Sequence, residues 1–274
     1  MPKTALVPEV ISMRLPSRLE LLSVLDRVAS PDDVRRAFYT LRGAGFDNMS
    51  IDLIYGIPGQ EPADLARDLA GALALEPEHV SAYELEAKPG TRFTHAYGAA
   101  LERQAEAMEG YFETVVATLT DAGYRWYETA NFCLAPDRAG GRDLRAQHNL
   151  GYWLGRDYLG LGVGAVGTVA GRRVRNVPSL RRYLEALERG DPPSREVEEL
   201  LPVVQAAERA MLGLRLDELL PLSDVRAAID GEELARLERV GLVSTGGDAI
   251  ALTTRGRFLG GGVTARLLAP TMSR

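Results

Sequence analysis

Apolar residues along the first half of the chain repeat a helix followed by an extended segment. The segment Ser30–Asp33 combines a capping serine, a proline and two acids, which together predict a helix start. The apolar run Met49–Tyr55 that follows predicts a strand. The same succession returns as a helix from Pro62 and a strand at His79–Leu85. Near-continuous apolar strands between helices are typical of a parallel sheet covered by helices.

A third repeat is longer and ends in a polar region. Its apolar spacing predicts one helix over Leu101–Asp121 and a short strand over Tyr124–Glu128. Residues 129–147 are rich in Arg, Asp and Gly, and they predict a surface loop that includes Cys133. The repeats together predict the α/β class, with a complete or partial TIM-like barrel of parallel strands.

The second half of the chain changes its pattern at Pro192 and Pro193. Before these prolines, Val166–Val177 predicts a hairpin and Pro178–Arg189 a helix. After them, predicted helices and a short hairpin give the order of a winged helix, over Glu196–Leu214, Leu222–Ile229, Glu232–Val240 and Leu242–Leu252. We therefore predict an irregular lead-in over residues 1–18, a barrel with its extension over residues 19–192, and a winged-helix-like α+β domain over residues 193–274.

Composition excludes some classes of function. Hydrophobic residues make up 46% and charged residues 26% of the chain, which is ordinary for a protein with a sizeable core. The net charge of −6, with twelve acids against nine arginines over residues 196–274, argues against a nucleic-acid surface and favours a packing or partner-docking role for that region. No apolar run approaches the roughly 18 residues of a membrane span. No signal-like apolar segment follows the first charges, so we expect a cytoplasmic protein.

The strongest chemical signal is Asp52, a carboxylate within an otherwise apolar predicted strand. Burying a carboxylate is costly unless it meets a hydrogen-bond donor, and ligands bind at the carboxyl ends of barrel strands. Asp52 is therefore a candidate ligand-binding residue. The alternative is an aspartate that a neighbouring backbone group or arginine satisfies.

Three segments of the chain resemble one family. Asp52–Gln60 reads Asp-Leu-Ile-Tyr-Gly-Ile-Pro-Gly-Gln, Gly45–Asn48 precedes it, and Val80–Leu85 reads Val-Ser-Ala-Tyr-Glu-Leu. These residues resemble the radical-SAM proteins that include HemW and the oxygen-independent coproporphyrinogen III oxidases. The resemblance runs from about Leu22 to the end of the chain, and it implies a partial radical-SAM barrel in a protein of porphyrin metabolism.

The resemblance also implies a cofactor site. In the family, the aspartate of this strand and an arginine after the third barrel strand contact S-adenosylmethionine, which implies the same for Asp52. The stretch Leu25–Ser30 resembles the second of these regions, so Arg27 is the corresponding arginine. A solvated charge at a helix end is the alternative interpretation of Arg27.

The segment His148–Trp153 matches the family's His-Asn-x-x-Tyr-Trp motif, which is implicated in haem handling. Imidazole is an axial haem ligand, and flat aromatic rings pack against a porphyrin. The resemblance implies that His148 ligates haem iron and that Asn149, Tyr152 and Trp153 contact haem. A structural histidine beside two aromatic residues is the alternative.

Other residues carry weaker signals. Tyr158–Ala165 also resembles the family, and its glycines predict a close backbone approach to a ligand or a neighbouring strand. His79 and His95 lack aromatic company, so we interpret them as structural or surface residues.

Cysteine content limits the chemistry, because Cys133 is the only cysteine. Several thiolates normally ligate a [4Fe–4S] cluster, and one thiol does not suffice. The family's Cys-x-x-x-Cys-x-x-Cys motif has no counterpart in this sequence. We expect that the chain is N-terminally truncated and has no radical chemistry as written. We also expect its open sheet edge to pair with a second copy or a separate N-terminal piece.

Three functions follow from these observations. The first is a HemW-like haem chaperone that binds haem or porphyrin and passes it to an accepting protein. The second is a fragment of an oxygen-independent coproporphyrinogen III dehydrogenase, and the third is a cluster-free interaction protein. The motif at His148–Trp153 favours the first.

Overall fold

The structure is a computed structural model of the 274-residue chain, and it describes residue 21, residues 24–25 and residues 30–268. Its contacts divide the chain into a first unit, residues 1–147, and a second unit, residues 148–274. This division falls at His148 instead of the expected boundary at residues 192 and 193. The expected lead-in over residues 1–18 lies outside the described residues, and the domain organisation stays a prediction.

The first unit alternates helices and strands in the predicted manner. Its described elements are α1 (Pro31–Gly43), β1 (Ser50–Tyr55), α2 (Pro62–Leu73), β2 (His79–Glu84), α3 (Arg92–Ala105), α4 (Met108–Asp121), β3 (Tyr124–Trp126) and β4 (Asn131–Leu134). Helix α1 begins with a capping box, in which Ser30 Oγ accepts from the Asp33 N–H and the Asp33 carboxylate accepts from the Ser30 N–H. The predicted helix start is therefore confirmed.

The sheet of the first unit is mixed, with strand order β1-β2-β4-β3. Strands β1 and β2 pair in parallel as predicted, whereas β4 pairs antiparallel with both β2 and β3. The expectation of a surface loop throughout residues 129–147 is wrong at β4. Strand β4 lies between β2 and β3, and its Phe132 and Cys133 are both buried.

The single helix expected over Leu101–Asp121 is wrong at its start. The chain forms two helices, with the Ala107 N–H donating to the Gln104 carbonyl at the junction. Helix α4 buries an apolar face, while no residue of α3 is buried. Apolar periodicity reports packing against a core, so it revealed α4 and not α3.

The second unit contains two small antiparallel sheets, β5-β6-β7 and β8-β10-β9. Its elements begin with α5 (Gln147–Trp153), β5 (Val166–Val169), β6 (Arg172–Asn176), α6 (Leu180–Glu188), β7 (Arg195–Glu199), α7 (Pro202–Gly213) and β8 (Leu220–Pro221). They continue with α8 (Leu222–Val225), a 3₁₀ turn (Arg226–Ala228), α9 (Gly231–Arg239), β9 (Val243–Gly246), β10 (Ala249–Leu252), α10 (Thr254–Phe258) and α11 (Gly260–Leu267). The hairpin expected over Val166–Val177 is confirmed. The strand expected at Tyr158–Val163 is reduced to one bridge between Tyr158 and Thr168.

The segment from α7 to β10 has the element order and three-stranded sheet of a winged helix, as the sequence predicted. Its core is formed by apolar residues of α7, α9, α11 and the sheet, including Leu214, Leu237, Ile250 and Leu267. The helix expected to begin at Glu196 begins at Pro202 instead, and the preceding residues form β7. None of the described helices is long and apolar enough to cross a membrane.

One buried hydrogen-bonded chain crosses the first sheet. Ser50 Oγ lies 2.8 Å from His79 Nδ1, and His79 Nε2 lies 2.8 Å from Tyr127 Oη, which also accepts from the Ala146 N–H. Both ring nitrogens face hydroxyl groups, which can donate or accept and therefore suit a neutral imidazole. Burial lowers the pKa of His79 to about 4. The interpretation of His79 as a structural residue is confirmed.

This histidine makes stability depend on pH. Its pKa is lower in the folded chain than the unperturbed value of about 6.5, so the unfolded chain binds the proton more readily. The contribution of His79 to stability is complete above about pH 6.5 and is lost as the pH falls towards 4, by about 3 kcal/mol in total. Urea unfolding from pH 8 to pH 4 measures this loss. We expect H79Q to flatten it, whereas H95Q, at an exposed helical histidine, leaves it unchanged. Parallel curves for the wild type and H79Q would contradict the assignment.

Candidate functional site

Polar side chains line one face of the first sheet. In the parallel pair, Ser50 is opposite His79 and Asp52 is opposite Ser81, and all four are buried. Side chains alternate between the two faces of a strand, so these residues share a face. We call this surface, with Asn131 on β4, the polar face.

The helices cover the opposite face. Tyr55 of β1 stacks on Phe112 of α4 with ring centroids 6.5 Å apart, and Trp126 of β3 meets the same ring edge-on at 5.6 Å. Since Tyr55 alternates with Ile54 and Asp52, the carboxylate of Asp52 belongs to the side of the sheet away from α4. That is the inward side of a barrel whose helices lie outside.

Asp52, the candidate ligand-binding carboxylate, is the third residue of β1 and is 7% exposed. Tyr83, at the carboxyl end of β2, lies on the same face and exposes 39% of its surface. Arg27, the expected companion of Asp52, lies outside the described residues. The sequence analysis did not select Tyr83 as a candidate for this face, because its position there follows only from the register between β1 and β2.

Asn131 and Glu128 extend the polar face and were also missed. Asn131 is opposite Ser81 across β4 and β2. Its Nδ2 donates to Glu128 Oε2 at 2.5 Å, and the Ala130 N–H donates to the same oxygen. Glu128 is fully buried, so it holds the Asn131 amide in place. The only sequence signal for β4 was the short apolar run after Asn131. The polar composition of residues 129–147 outweighed that run and predicted a loop instead.

The histidine motif of the second unit forms helix α5. His148 and Tyr152 are four residues apart, which places them on one helical face. Their ring centroids are 5.1 Å apart in an edge-to-face arrangement, and Tyr152 meets Tyr158 in the same way at 4.7 Å. His148 is exposed, and its ring nitrogens make no hydrogen bond with another described residue. An accessible imidazole of this kind can reach a metal ion as a ligand.

Asn149 and Trp153 lie on the neighbouring helical face, and both are half-buried. The guanidinium of Arg215 lies 4.4 Å from the centroid of the Trp153 ring, and Arg209 donates to the Trp153 carbonyl. Burial lowers the pKa of Arg209. Arg215 therefore holds the ring of Trp153 and Arg209 holds its carbonyl, and together they anchor the end of α5.

A glycine-rich loop follows the aromatic contacts. Gly160 lies so close to Gly167 of β5 that a Cβ on Gly160 would meet the Val166 carbonyl carbon at 2.5 Å. A Cβ on Gly167 would in turn meet the Gly160 nitrogen at 2.6 Å. The predicted close backbone approach is thus confirmed, and its partner is a neighbouring strand.

The resident cluster of the radical-SAM class does not fit the residues of this chain. Cys133 is the only thiol, and it is 3% exposed on a strand between β2 and β3. Its interpretation as a loop residue is wrong. Over the part of the chain that the structure describes, no three His, Cys, Asp or Glu side chains are grouped as metal ligands. No step through an iron–sulfur cluster is therefore derived for these residues.

Comparison with known proteins places these features in one family. The heme chaperone HemW of Mycobacterium tuberculosis is 36% identical over 253 residues, which are 90% of this chain and 62% of that protein. HemW of Bacillus subtilis is 33% identical over 261 residues, covering 91% of this chain and 66% of that protein. The chain belongs to the HemW-like radical-SAM family. HemW of Escherichia coli is 32% identical over 75% of this chain. No family model matches the chain.

A solved structure shows the fold of the HemW-like chain. Coproporphyrinogen III oxidase HemN from Escherichia coli, a radical-SAM enzyme, matches with a TM-score of 0.72 and 23% identity over 94% of this chain and 63% of that one. The α/β fold class with part of a radical-SAM barrel is therefore confirmed. The chain spans about 62% of the first HemW relative and 63% of the HemN chain.

The Gly160–Gly167 contact predicts an unusual cost for a small substitution. G160A forces its methyl group against backbone atoms, which cannot move aside as a flexible side chain can. We expect a loss of about 1–3 kcal/mol in the free energy of unfolding. In G151A, a helical glycine with nothing within 4 Å of an added Cβ, stability rises by about 0.5–1 kcal/mol. Thermal melting of both variants checks this, and equal melting temperatures for G160A and the wild type would exclude the contact.

Proposed function

We propose that the chain is a haem-binding member of the HemW-like family, with His148 as an axial ligand of haem iron. The observation that carries the proposal is the exposed imidazole of His148 beside the ring of Tyr152. Imidazole nitrogen ligates haem iron in several protein classes, and an aromatic ring next to it can pack against the porphyrin.

The helix that bears this motif is suited to hold the imidazole in place. Tyr152 restricts the His148 ring from one side, and Tyr158 restricts Tyr152 in turn. Trp153 is anchored by Arg215 and Arg209, so it contributes by fixing α5, with Asn149 beside it. A ligand that is fixed before binding loses less conformational entropy when the haem arrives.

The polar face of the first unit supports a second binding role, for S-adenosylmethionine. A buried carboxylate such as Asp52 accepts hydrogen bonds from ribose hydroxyls, and the exposed ring of Tyr83 offers a flat surface for a purine. We assign Asp52, Arg27 and Tyr83 to this site. S-adenosylmethionine would supply radical chemistry only with a cluster, whose ligands these residues do not provide.

The proposed function is accordingly binding and transfer without catalysis by these residues. A haem-accepting protein is the implied partner, and a second copy of the chain is a further candidate partner. The relatives named heme chaperone HemW motivate the transfer role.

Haem titration tests the first part of the proposal. We expect the wild-type chain to shift the Soret band of added haemin, and H148A to lose the shift and at least about tenfold in affinity, since it loses the bond to iron. H95A, which removes an exposed helical histidine of the first unit, is the matched control and should behave as the wild type does.

The outcomes separate the candidate functions. Absence of haemin binding by the wild type would refute the chaperone and favour a coproporphyrinogen dehydrogenase fragment or an interaction protein. Binding that H148A leaves intact would reject His148 as the ligand while leaving haem as the cargo.

Calorimetry with S-adenosylmethionine tests the polar face. D52N keeps the shape of the side chain and removes its charge, so we expect about tenfold weaker binding or more. D47N, at an exposed aspartate that pairs with Arg142, should leave the affinity unchanged. The assignment fails if D52N and D47N bind with the same affinity as the wild type.

A further inference from the structure

The loop Leu159–Val163 exposes three apolar side chains in five residues. Leu159 is 77% exposed, Leu161 88% and Val163 40%. No charged residue occurs from Tyr158 through Val169, so nothing ionic accompanies these side chains within the segment. A single exposed leucine is ordinary, whereas a cluster of them is a candidate binding surface.

The backbone of this loop is fixed, although its side chains are exposed. Tyr158 and Thr168 exchange two hydrogen bonds of 2.9 Å at its start. Asn176, which is 5% exposed, donates from Nδ2 to the carbonyls of Gly160 and Gly162. The loop is therefore a preorganised support, and a ligand that lands on it does not have to order it first.

The loop also continues directly from the aromatic contacts of α5. Tyr158 precedes Leu159 in the chain, and its ring touches Tyr152, which touches His148. A series of ring contacts thus runs from the candidate iron ligand to Tyr158, the residue that directly precedes the exposed loop. All of these residues belong to the second unit.

We propose that Leu159, Leu161 and Val163 form an apolar wall for the porphyrin of haem, with Tyr158 as the positioning residue between that wall and His148. This inference rests on the haem-binding function proposed above. One edge of haem carries charged propionates and the opposite edge carries methyl and vinyl groups. The porphyrin faces are apolar too, so an uncharged leucine wall removes apolar surface from water when it meets a face or the methyl and vinyl edge, and not when it meets the propionates.

Helix α6 supplies a matched control on the same unit. Leu180, Leu184 and Leu187 are 59%, 47% and 50% exposed, at the helical spacing that forms one stripe. Charged residues flank this stripe on both sides, and no ring contact among the described residues links it to His148. Non-specific adsorption of a porphyrin would involve both sets of leucines equally.

The experiment compares the double variants L159S/L161S and L180S/L184S, each made in the 274-residue chain, with the wild type. Each is titrated with haemin, followed by Soret absorbance, and with iron-free protoporphyrin IX, followed by fluorescence. We expect L159S/L161S to bind both porphyrins about tenfold more weakly or worse, while its haemin Soret maximum stays where the wild type has it. L180S/L184S should remain within about twofold of the wild type for both.

The iron-free arm distinguishes a wall from a ligand. H148A should affect haemin far more than protoporphyrin IX, whereas L159S/L161S should affect both alike. Equal affinity of L159S/L161S and the wild type overturns the wall and leaves the proposed function intact. Equal losses in the two leucine variants also overturn it, in favour of general adsorption. If the wild type binds neither porphyrin, both the proposed function and the apolar wall are refuted. Circular dichroism melts confirm that the substitutions, all at exposed positions, leave the fold unchanged.

Discussion

His79 bridges Ser50 of β1 and Tyr127 beyond β3 through its two ring nitrogens, deep inside the first unit. A neutral imidazole suits this position because each nitrogen meets a hydroxyl group, and a proton would leave a buried charge. The bridge ties the register of β1 and β2 to the segment that follows β3. The alignment of Asp52 with Ser81 and Asn131, and hence the whole polar face, depends on that register.

The alternation of helices and strands could be predicted from the sequence because apolar periodicity and helix caps act over a few residues. Strand β7 could not be predicted, since its sequence Arg-Glu-Val-Glu-Glu has no apolar alternation and resembles a helix start. Its glutamates are opposite arginines of β6, and ion pairs such as Arg172–Glu199 and Arg173–Glu198 join the two strands. Pairing between distant segments thus overrode local preference, as it did for β4.

The residues of the candidate sites also fall into two groups, those that a local sequence motif indicated and those that it did not. Asp52 and His148 carried signals in short motifs, and the structure buries the first and exposes the second. Tyr83 and Asn131 could not be assigned to the polar face from local pattern, because their places on it follow from the pairing of β1, β2 and β4. A residue's position on a sheet face relative to other strands cannot be inferred until the strand register is known.

The single cysteine of the chain is a natural probe of local opening in the first sheet. Cys133 lies between β2 and β3, and its side chain is almost completely covered. A thiol reagent reaches it fully only when the residues that cover it open locally, so the rate of modification under native conditions reports the free energy of that opening. Since the sequence contains no second cysteine, every label records the same event.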